Sequence, residues 1–353
     1  MIKKNVAIVG FGTMGEWHSN RIMNSDVVNL IGIYDIEERR EEYARSRGIY
    51  AYSSFEEILG DDRVDIVVIA TPNDLHKPLA IEAMSRGKHV VSEKPATVSS
   101  KDLSDMIEAS KKYGRVFTVH QNRRWDTDFL LMKELYCTGE LGEIFSVESR
   151  VQGSRGLTKG WRHKKEHGGG IVLDWGVHLI DQMLLLVHDA KIKSVYCRFQ
   201  NIMDYEVEDC FKLDIYFDND VTARVEVGTS HFISLPRFYM TGTNGSATVN
   251  GFEDGMRIVS CRDFNEEDVV PVVTSAGVTK TMAPRNANTI KESFVEKPVA
   301  DVHDFYRNLV KVIDGEAELI VTHKEIMRVM RVMEAAFESA TSGLPVEFDD
   351  SEY

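Results

Sequence analysis

The chain has 353 residues and carries 42 Lys plus Arg against 56 Asp plus Glu, a formal charge of −14; at roughly 150 residues per domain it can form about two domains with their own cores. A polyanion of this kind is repelled by nucleic-acid phosphates and anionic bilayers, so neither is an expected partner. Hydrophobic residues make up 43% and charged residues 28%, and no continuous apolar run approaches the roughly 20 residues of a membrane span, so a water-soluble globular protein is expected.

The N-terminal MIKKNVAIVGFG passes from two lysines directly into a short strand-like run, without the apolar core or cleavage site of a secretion signal. Cys137, Cys197, Cys210 and Cys261 lie far apart and form no C-x-x-C pair. That spacing argues against a disulfide framework or a zinc knuckle and fits a reducing cytoplasm. Over residues 1–122, β-rich runs at 5–9, 30–34, 65–70, 89–92 and 116–120 alternate with helix-length amphipathic segments. Strands without polar alternation are buried on both faces, which predicts a parallel sheet with helices on each side. Leu103, Met106, Ile107 and Ser110 supply the apolar stripe of one such helix. This part reads as doubly wound α/β.

The first strand runs into Gly10-Phe11-Gly12-Thr13-Met14-Gly15, and a helix follows. Glycines there permit the tight turn and let backbone N–H groups approach a pyrophosphate at the positive end of the helix. Asp35 stands 20 residues past Gly15 at the end of the second strand, where a carboxylate bonds ribose hydroxyls and repels a 2′-phosphate. NAD is therefore the expected cofactor, while nearby Arg39 and Arg40 leave NADP open.

After residue 122 the pattern changes. Runs at 210–217 and 221–227 alternate with period two around Asp218-Asn219-Asp220, which predicts an antiparallel hairpin with one solvated or partner-covered face. Helices are predicted at 299–313 and 323–340, the second carrying Ile326, Val329, Met330, Met333 and Phe337 in a stripe and stopping at Ser342-Gly343-Leu344-Pro345.

Between these regions, Asp174, His178 and Asp181 fall at i, i+4 and i+7 of a helix that is otherwise apolar through Val187. Two readings stand. Asp174 caps the helix and His178 is a satisfied core histidine, or a carboxylate and an imidazole face a polar cleft with His178 as proton acceptor. Lys94, in Glu93-Lys94-Pro95, lies at the carboxyl end of the fourth strand, the edge where such sheets bind ligands. It is either a solvated turn lysine or a group that polarises a substrate hydroxyl; Pro95 is a candidate for a cis bond. His163 and His167 stand four apart but have no third ligand nearby, so no metal is expected.

Taken together, the glycine loop, Asp35, Thr71-Pro72-Asn73-x-x-His76, Glu93-Lys94-Pro95 and Asp174-x-Gly-x-His178 resemble, over almost the whole chain, the Gfo/Idh/MocA family of oxidoreductases. That family includes glucose-fructose oxidoreductase, inositol dehydrogenases and many sugar dehydrogenases. Gln121-Asn122-Arg123-Arg124-Trp125-Asp126 is similar to a branch that includes scyllo-inositol dehydrogenases.

The resemblance implies a Rossmann domain over 1–122 and, over 123–353, an α+β substrate-binding and oligomerisation domain built on a large open, mostly antiparallel sheet. It places Gly10, Phe11, Gly12, Thr13, Met14, Gly15, Asp35, Thr71, Pro72, Asn73, His76, Glu93, Lys94 and Gln121 along the dinucleotide. Lys94, Asp174 and His178 match the family's catalytic lysine, aspartate and histidine, and with Arg123 and Arg124 they are the expected substrate contacts. Trp161-Arg162 matches a pair near the cofactor or the substrate. The expected reaction moves a hydride between a secondary hydroxyl of a sugar or cyclic polyol and the nicotinamide. Rivals are a glycoside-cleaving enzyme working by transient oxidation and elimination, and a silent NAD-binding regulator. A homodimer or homotetramer is implied.

Residues 1–122 hold 16 basic and 18 acidic groups, which leaves −12 of the charge to the remainder. Within that remainder Arg150, Arg155, Lys159, Arg162, Lys164 and Lys165 form a basic segment with Glu166 as its one acid. Either it faces an anionic part of cofactor or substrate, or it is a solvated loop.

Overall fold

The structure, a computed structural model, describes residues 3–158, 160–203, 205–261 and 269–352; Lys159 of the basic segment lies outside them. The first part alternates β1 (Lys4–Val9), α1 (Thr13–Met23), β2 (Val28–Tyr34), α2 (Glu38–Ser46), α3 (Phe55–Gly60), β3 (Ile66–Ile69), α4 (His76–Ser85), β4 (His89–Ser92), α5 (Ser100–Tyr113) and β5 (Phe117–Val119). The five strands form an all-parallel sheet in the order β2-β1-β3-β4-β5. Every residue of β3 is buried, as expected of a strand covered on both faces. Ser99 caps α5 by accepting from the Asp102 N–H, and Gly114, at φ 60°, ends it in the left-handed conformation. Ala109 takes the core place that the sequence stripe gives to Ile107, which is only half-buried.

A second sheet follows α6 (Thr127–Thr138). It comprises β6 (Ile144–Gln152) and, after α7 (Val177–Leu186), the strands β7 (Ile192–Gln200), β8 (Cys210–Phe217), β9 (Thr222–Gly228), β10 (Phe238–Gly242), β11 (Gly245–Val249) and β12 (Met256–Cys261). The chain continues through a short hairpin, β13 (Val272–Thr274) and β14 (Gly277–Thr279), to β15 (Ile290–Val295), α8 (Asp304–Ile313), α9 (His323–Ser342) and β16 (Val346–Glu347). The order of the large sheet is β15-β12-β11-β10-β6-β9-β8-β7-β16, antiparallel throughout except for β6 against β9. Asp220, at φ 64°, makes the tight turn of the predicted β8–β9 hairpin.

The inner face of this sheet packs its alternate apolar residues, Leu213, Ile215, Val225, Met240 and Ile258 among them, toward α6, α7 and α9. Its outer face is a cross-strand ladder of charge and tyrosine. Glu148 stands opposite Arg224, which pairs with Asp214 at 2.7 Å, and Glu226 lies between Arg150 and Lys212. Tyr216, Tyr239 and Phe294 are exposed on it. The helical stretch Lys165–Leu186 has the length and hydropathy of a membrane span, contrary to the expectation from continuous apolar runs, but 83% of its most apolar window is buried, which makes it the core helix of the second part.

The last two helices return to the first sheet. The Thr118 hydroxyl bonds to the Val321 carbonyl, and His323 Nε2 lies 2.8 Å from the Phe117 carbonyl oxygen. Thr322 and Glu325 close a capping box at the start of α9.

Candidate active site

The glycine loop turns sharply between β1 and α1, and its spacing is dictated by close approach. Gly10 lies at φ 89°, and a Cβ there would stand 2.6 Å from the Ala70 carbonyl oxygen; a Cβ on Gly15 would stand 2.0 Å from that of Gly10. At Gly12 a Cβ would meet nothing within 4 Å, so that glycine keeps the mouth of the loop open at the N-terminus of α1, where an anion is favoured. Asp35 ties this loop to β2, since Oδ2 accepts from the Phe11 N–H at 2.6 Å and Oδ1 from the Glu37 N–H at 2.9 Å. The Phe11 side chain is fully buried. Arg39 pairs with Glu37 at 2.6 Å, and Arg40 lies 3.8 Å from the same carboxylate.

At the carboxyl ends of β3, β4 and β5 lie the remaining residues expected along a dinucleotide. Thr71 and Pro72 lead into a helical turn where Asn73 donates to the Gly168 carbonyl at 2.8 Å, linking the two halves of the molecule. His76 is buried, with its ring nitrogens 2.9 Å and 3.0 Å from the carbonyl oxygens of Pro95 and Thr71. It braces the two loops rather than facing the cleft, a departure from the sequence expectation. Glu93 departs in the same way, because its carboxylate turns inward to His18 and His120. Buried polar atoms without partners are Gln121 Oε1 and Asn122 Oδ1, just past β5, and His178 Nδ1 on α7. Such atoms need partners, and the amide and hydroxyls of a nicotinamide riboside offer both donors and acceptors. Together with the open glycine loop, they make the residues a fit for a dinucleotide.

Lys94 and Asp174, 80 residues apart in sequence, meet across the interface of the two halves. The ammonium donates to the Asp174 carbonyl at 2.8 Å and to Oδ1 at 3.2 Å, while Arg162 Nε holds Oδ2 at 3.2 Å. Burial pushes the Asp174 carboxyl up, but the cations Lys94 and Arg162 outweigh it and hold the group below its ordinary value. The Lys94-Pro95 bond is cis. His178 is 4% exposed, and burial, followed by the charges of Lys94 and Arg123, drives it well below 6.5. It is a neutral imidazole at neutral pH, with a free lone pair at Nδ1 or a proton in need of an acceptor.

Asp181 does not join Asp174 and His178. Val172–Gly176 forms a wide π-helical turn before α7 starts, so the regular i, i+4, i+7 register read from the sequence is broken at its first step. The Asp181 carboxylate is instead gripped by both arms of Arg124, at 2.8 Å and 2.6 Å, and Glu325 and the Ile320 carbonyl take the other guanidinium nitrogen. Arg124, expected at the substrate, is thus fully engaged in a buried structural ion pair. Arg123 stays near the site: it pairs with Asp126 at 2.8 Å and lies over the Trp175 ring at 4.2 Å. Trp161 stacks under Arg162 at 4.6 Å, which places that pair on the Asp174 side.

The basic segment divides. Arg150 is neutralised on the sheet by Glu148 and Glu226, while Arg162 serves Asp174. Lys164 pairs loosely with Glu166 at 3.8 Å. His163 stacks on Tyr205, whereas His167 pairs with Asp74, so the two imidazoles serve different partners. A cavity of about 410 Å³ opens beside Asp174 and Trp175, lined also by Gln152, Ser154, Arg155 and Thr229. A larger one of about 600 Å³ is lined by Lys165, Leu173, Phe199 and Glu208 among others. The residues that sequence reading missed are His18, His120, Tyr306 and Glu208. Glu208 accepts from the Val172 N–H at 3.0 Å, supporting the turn that carries Asp174.

Residues 4–121 match the family described as "Oxidoreductase family, NAD-binding Rossmann fold", and residues 129–248 match the GFO/IDH/MocA C-terminal domain. The scyllo-inositol 2-dehydrogenase (NADP(+)) IolW of Bacillus subtilis is 27% identical over 349 residues, which cover 96% of this chain and 95% of the relative. The 1,5-anhydro-D-fructose reductase of Ensifer adhaerens is 29% identical over 248 residues, 68% of this chain and 73% of that enzyme. The crystal structure of an NAD-binding protein from Listeria innocua superposes with a TM-score of 0.93 at 41% identity, covering 99% of this chain and all of that one. With its open glycine loop, parallel sheet and nine-stranded second sheet, the chain belongs to the GFO/IDH/MocA family of oxidoreductases and carries that family's NAD-binding Rossmann fold.

Proposed function

We propose that the protein is an NAD(P)-dependent dehydrogenase acting reversibly on a secondary hydroxyl of a sugar, sugar derivative or cyclic polyol. The observation that carries this reading is the pairing of the Lys94 ammonium with Asp174 next to a buried, neutral His178. The names of the inositol dehydrogenase and the anhydrofructose reductase support the substrate class. When bound, the nicotinamide supplies the hydride chemistry, leaving the protein to position the substrate and manage one proton.

Lys94 donates to the substrate oxygen and stabilises the negative charge that develops there. His178 takes the hydroxyl proton on oxidation and returns it on reduction; a neutral ring is the state that can accept. Asp174 holds the Lys94 ammonium in place while sharing its other oxygen with Arg162. Trp175 and Arg123 close the wall beside His178, excluding water from the reacting groups. Gly10, Gly12 and Gly15 receive the pyrophosphate, Asp35 the adenosine ribose, and Asn122 and Gln121 the nicotinamide end. Asp35 favours NAD, and the pairing of Glu37 with Arg39 and Arg40 leaves those cations poorly placed for a 2′-phosphate.

Residues 1–122 form the cofactor domain in this reading, and 123–353 the substrate and assembly domain. The outer ladder of the large sheet, with Tyr216, Tyr239 and Phe294 exposed, suits pairing between copies in a homodimer or homotetramer. Thiols at Cys137, Cys197 and Cys210 fit a reducing cytoplasm.

The test is a panel of inositols, aldoses, glycosides and uronates with NAD or NADP, followed by absorbance of the reduced cofactor. Turnover on a polyol or sugar that is lost in Lys94→Ala and His178→Ala is the expected result. Net glycoside hydrolysis without accumulation of reduced cofactor, or NAD binding without turnover of any substrate, would overturn it.

A further inference from the structure

Two histidines outside the reacting groups converge on Glu93, the residue before Lys94, and a tyrosine backs one of them. His18 Nε2, on α1, and His120 Nδ1, just past β5, each lie 2.8 Å from Glu93 Oε1. The Tyr306 hydroxyl, on α8, lies 2.6 Å from His18 Nδ1, and the Lys94 backbone N–H donates to Glu93 Oε2 at 3.2 Å. All four side chains are buried. Burial pushes the Tyr306 phenol well above its ordinary value, with the Glu93 charge adding to it, so the hydroxyl keeps its proton. The Glu93 carboxylate can only accept, which puts the proton of the His18 ring, kept neutral by burial, on Nε2 and leaves Nδ1 to accept from the Tyr306 hydroxyl.

The same donors decide the state of the carboxyl. Burial alone would protonate Glu93, but the hydrogen bonds from His120 and His18 more than reverse that and hold it well below its ordinary value. The group of His18, Glu93 and His120 also has the composition of a metal site. In the structure His18 Nε2 and His120 Nδ1 are instead both within hydrogen-bond distance of Glu93 Oε1.

We infer that Glu93 is a positioning residue and not a cofactor ligand: clamped between His18 and His120, with Tyr306 fixing the His18 tautomer, it anchors the Lys94 backbone and so sets where the Lys94 ammonium meets Asp174. This rests on the reading of Lys94 as a catalytic residue. It makes an α8 tyrosine, 288 residues from its histidine partner in sequence, part of the support of the reacting lysine. The titratable groups that face or sense Glu93 are His18 of α1, His120 beyond β5, Tyr306 of α8, His76 of α4 and His178 of α7, with Lys94 adjacent in the chain.

The test compares Glu93→Gln, His18→Leu, His120→Leu and Tyr306→Phe with His18→Gln and His120→Asn, which keep a donor where the ring nitrogen stood. For each variant, kcat, KM, thermal midpoint and the NAD dissociation constant are measured, the last by quenching of tryptophan fluorescence. Glu93→Gln and the two leucine variants are expected to lose about 10- to 100-fold in kcat, the loss of one charge-assisted hydrogen bond, with NAD binding held within about threefold. The acid limb of kcat moves to higher pH in the leucine variants and, less far, in Tyr306→Phe, and the amide variants move it back. Should a leucine variant fail to fold, Glu93→Gln and the amide variants decide the matter alone. Unchanged kcat in a folded Glu93→Gln protein, or NAD binding that weakens in step with kcat, overturns the proposal. If Lys94→Ala keeps full turnover, the underlying reading of Lys94 fails instead.

Discussion

Replacing Asp174 by asparagine keeps its size and one acceptor oxygen but removes the charge between two cations. The carboxylate oxygens lie 3.2 Å from Lys94 Nζ and 3.2 Å from Arg162 Nε. At an effective dielectric constant of about 20, each contact represents about 5 kcal/mol of gross attraction. Desolvation of the buried carboxylate offsets most of that, and hydrogen bonds to charged groups leave about 1.5–3 kcal/mol each. Because the amide oxygen still serves one cation, Asp174→Asn is expected to cost about 2–3 kcal/mol of folding stability at pH 7. It is also expected to lower kcat about 100-fold, since Lys94 loses its tether. The Asp174 carboxyl is depressed in the folded protein, so its contribution is complete above the unfolded value of 3.8 and disappears as pH falls through the folded value. Urea unfolding of both proteins at pH 7, 5 and 3 should therefore show a gap that is full at the two higher pH values and narrows at the lowest. A gap of the same size at every pH, or none at pH 7, would refute the assignment of a charged, doubly paired Asp174.

Gly15→Ala drives a Cβ into the Gly10 carbonyl oxygen at 2.0 Å, whereas Gly12→Ala meets nothing within 4 Å; the first should lower the thermal midpoint by many degrees, while the second keeps it and weakens NAD binding in a titration. Arg124→Met removes one partner of the buried pair with Asp181 and should cost about 3–5 kcal/mol in urea unfolding, with substrate KM unchanged under conditions where the variant is folded; a selective rise in KM would return Arg124 to the substrate site. Burial raises the Glu208 carboxyl to about 7 from 4.5. A raised acid loses stability as pH climbs from its unfolded toward its folded value, so Glu208→Gln should gain up to about 3 kcal/mol at pH 8 and nothing near pH 4, read as a pH-dependent difference in thermal midpoint.

Where function rests on local pattern, the sequence was informative. The loop Gly10 to Gly15, the strand before it and Asp35 after it are close in the chain, and the structure puts all three in one corner. The stop of α9 at Gly343, φ 73°, and the Asp220 turn follow from residue chemistry alone. Register within the Asp174 helix was not legible, because the π-helical turn at Val172–Gly176 depends on support from elsewhere, including Glu208. Helical periodicity assumed a constant step and so grouped Asp181 with Asp174. The choice between a capping aspartate and a cleft aspartate was equally out of reach, since the deciding partner, Lys94, is 80 residues away. His18 and Tyr306 left no sequence signal: a histidine on an amphipathic helix and a tyrosine in an apolar stripe look like ordinary core residues until the fold sets them 2.6 Å apart.

Because Lys94 and its partner Asp174 come from different halves of the chain, the contacts between those halves bear on the candidate site. Asn73 holds the Gly168 carbonyl, His167 meets Asp74, and Tyr306 reaches His18, so the first sheet is fastened to the second part on both sides of the Lys94–Asp174 pair. Each of these links is polar and short in range, and a displacement of about 1 Å would break it. The loss would not stay local, since a shift that parts Asn73 from Gly168 also moves the turn that carries Asp174 away from Lys94. Substitutions at Asn73 or His167, remote from any proton transfer, are therefore expected to act on kcat through the distance between Lys94 and Asp174. The net charge points the same way: the second part carries −12, yet the segment it extends toward the first sheet is basic, and Arg162 of that segment pairs with the Asp174 carboxylate.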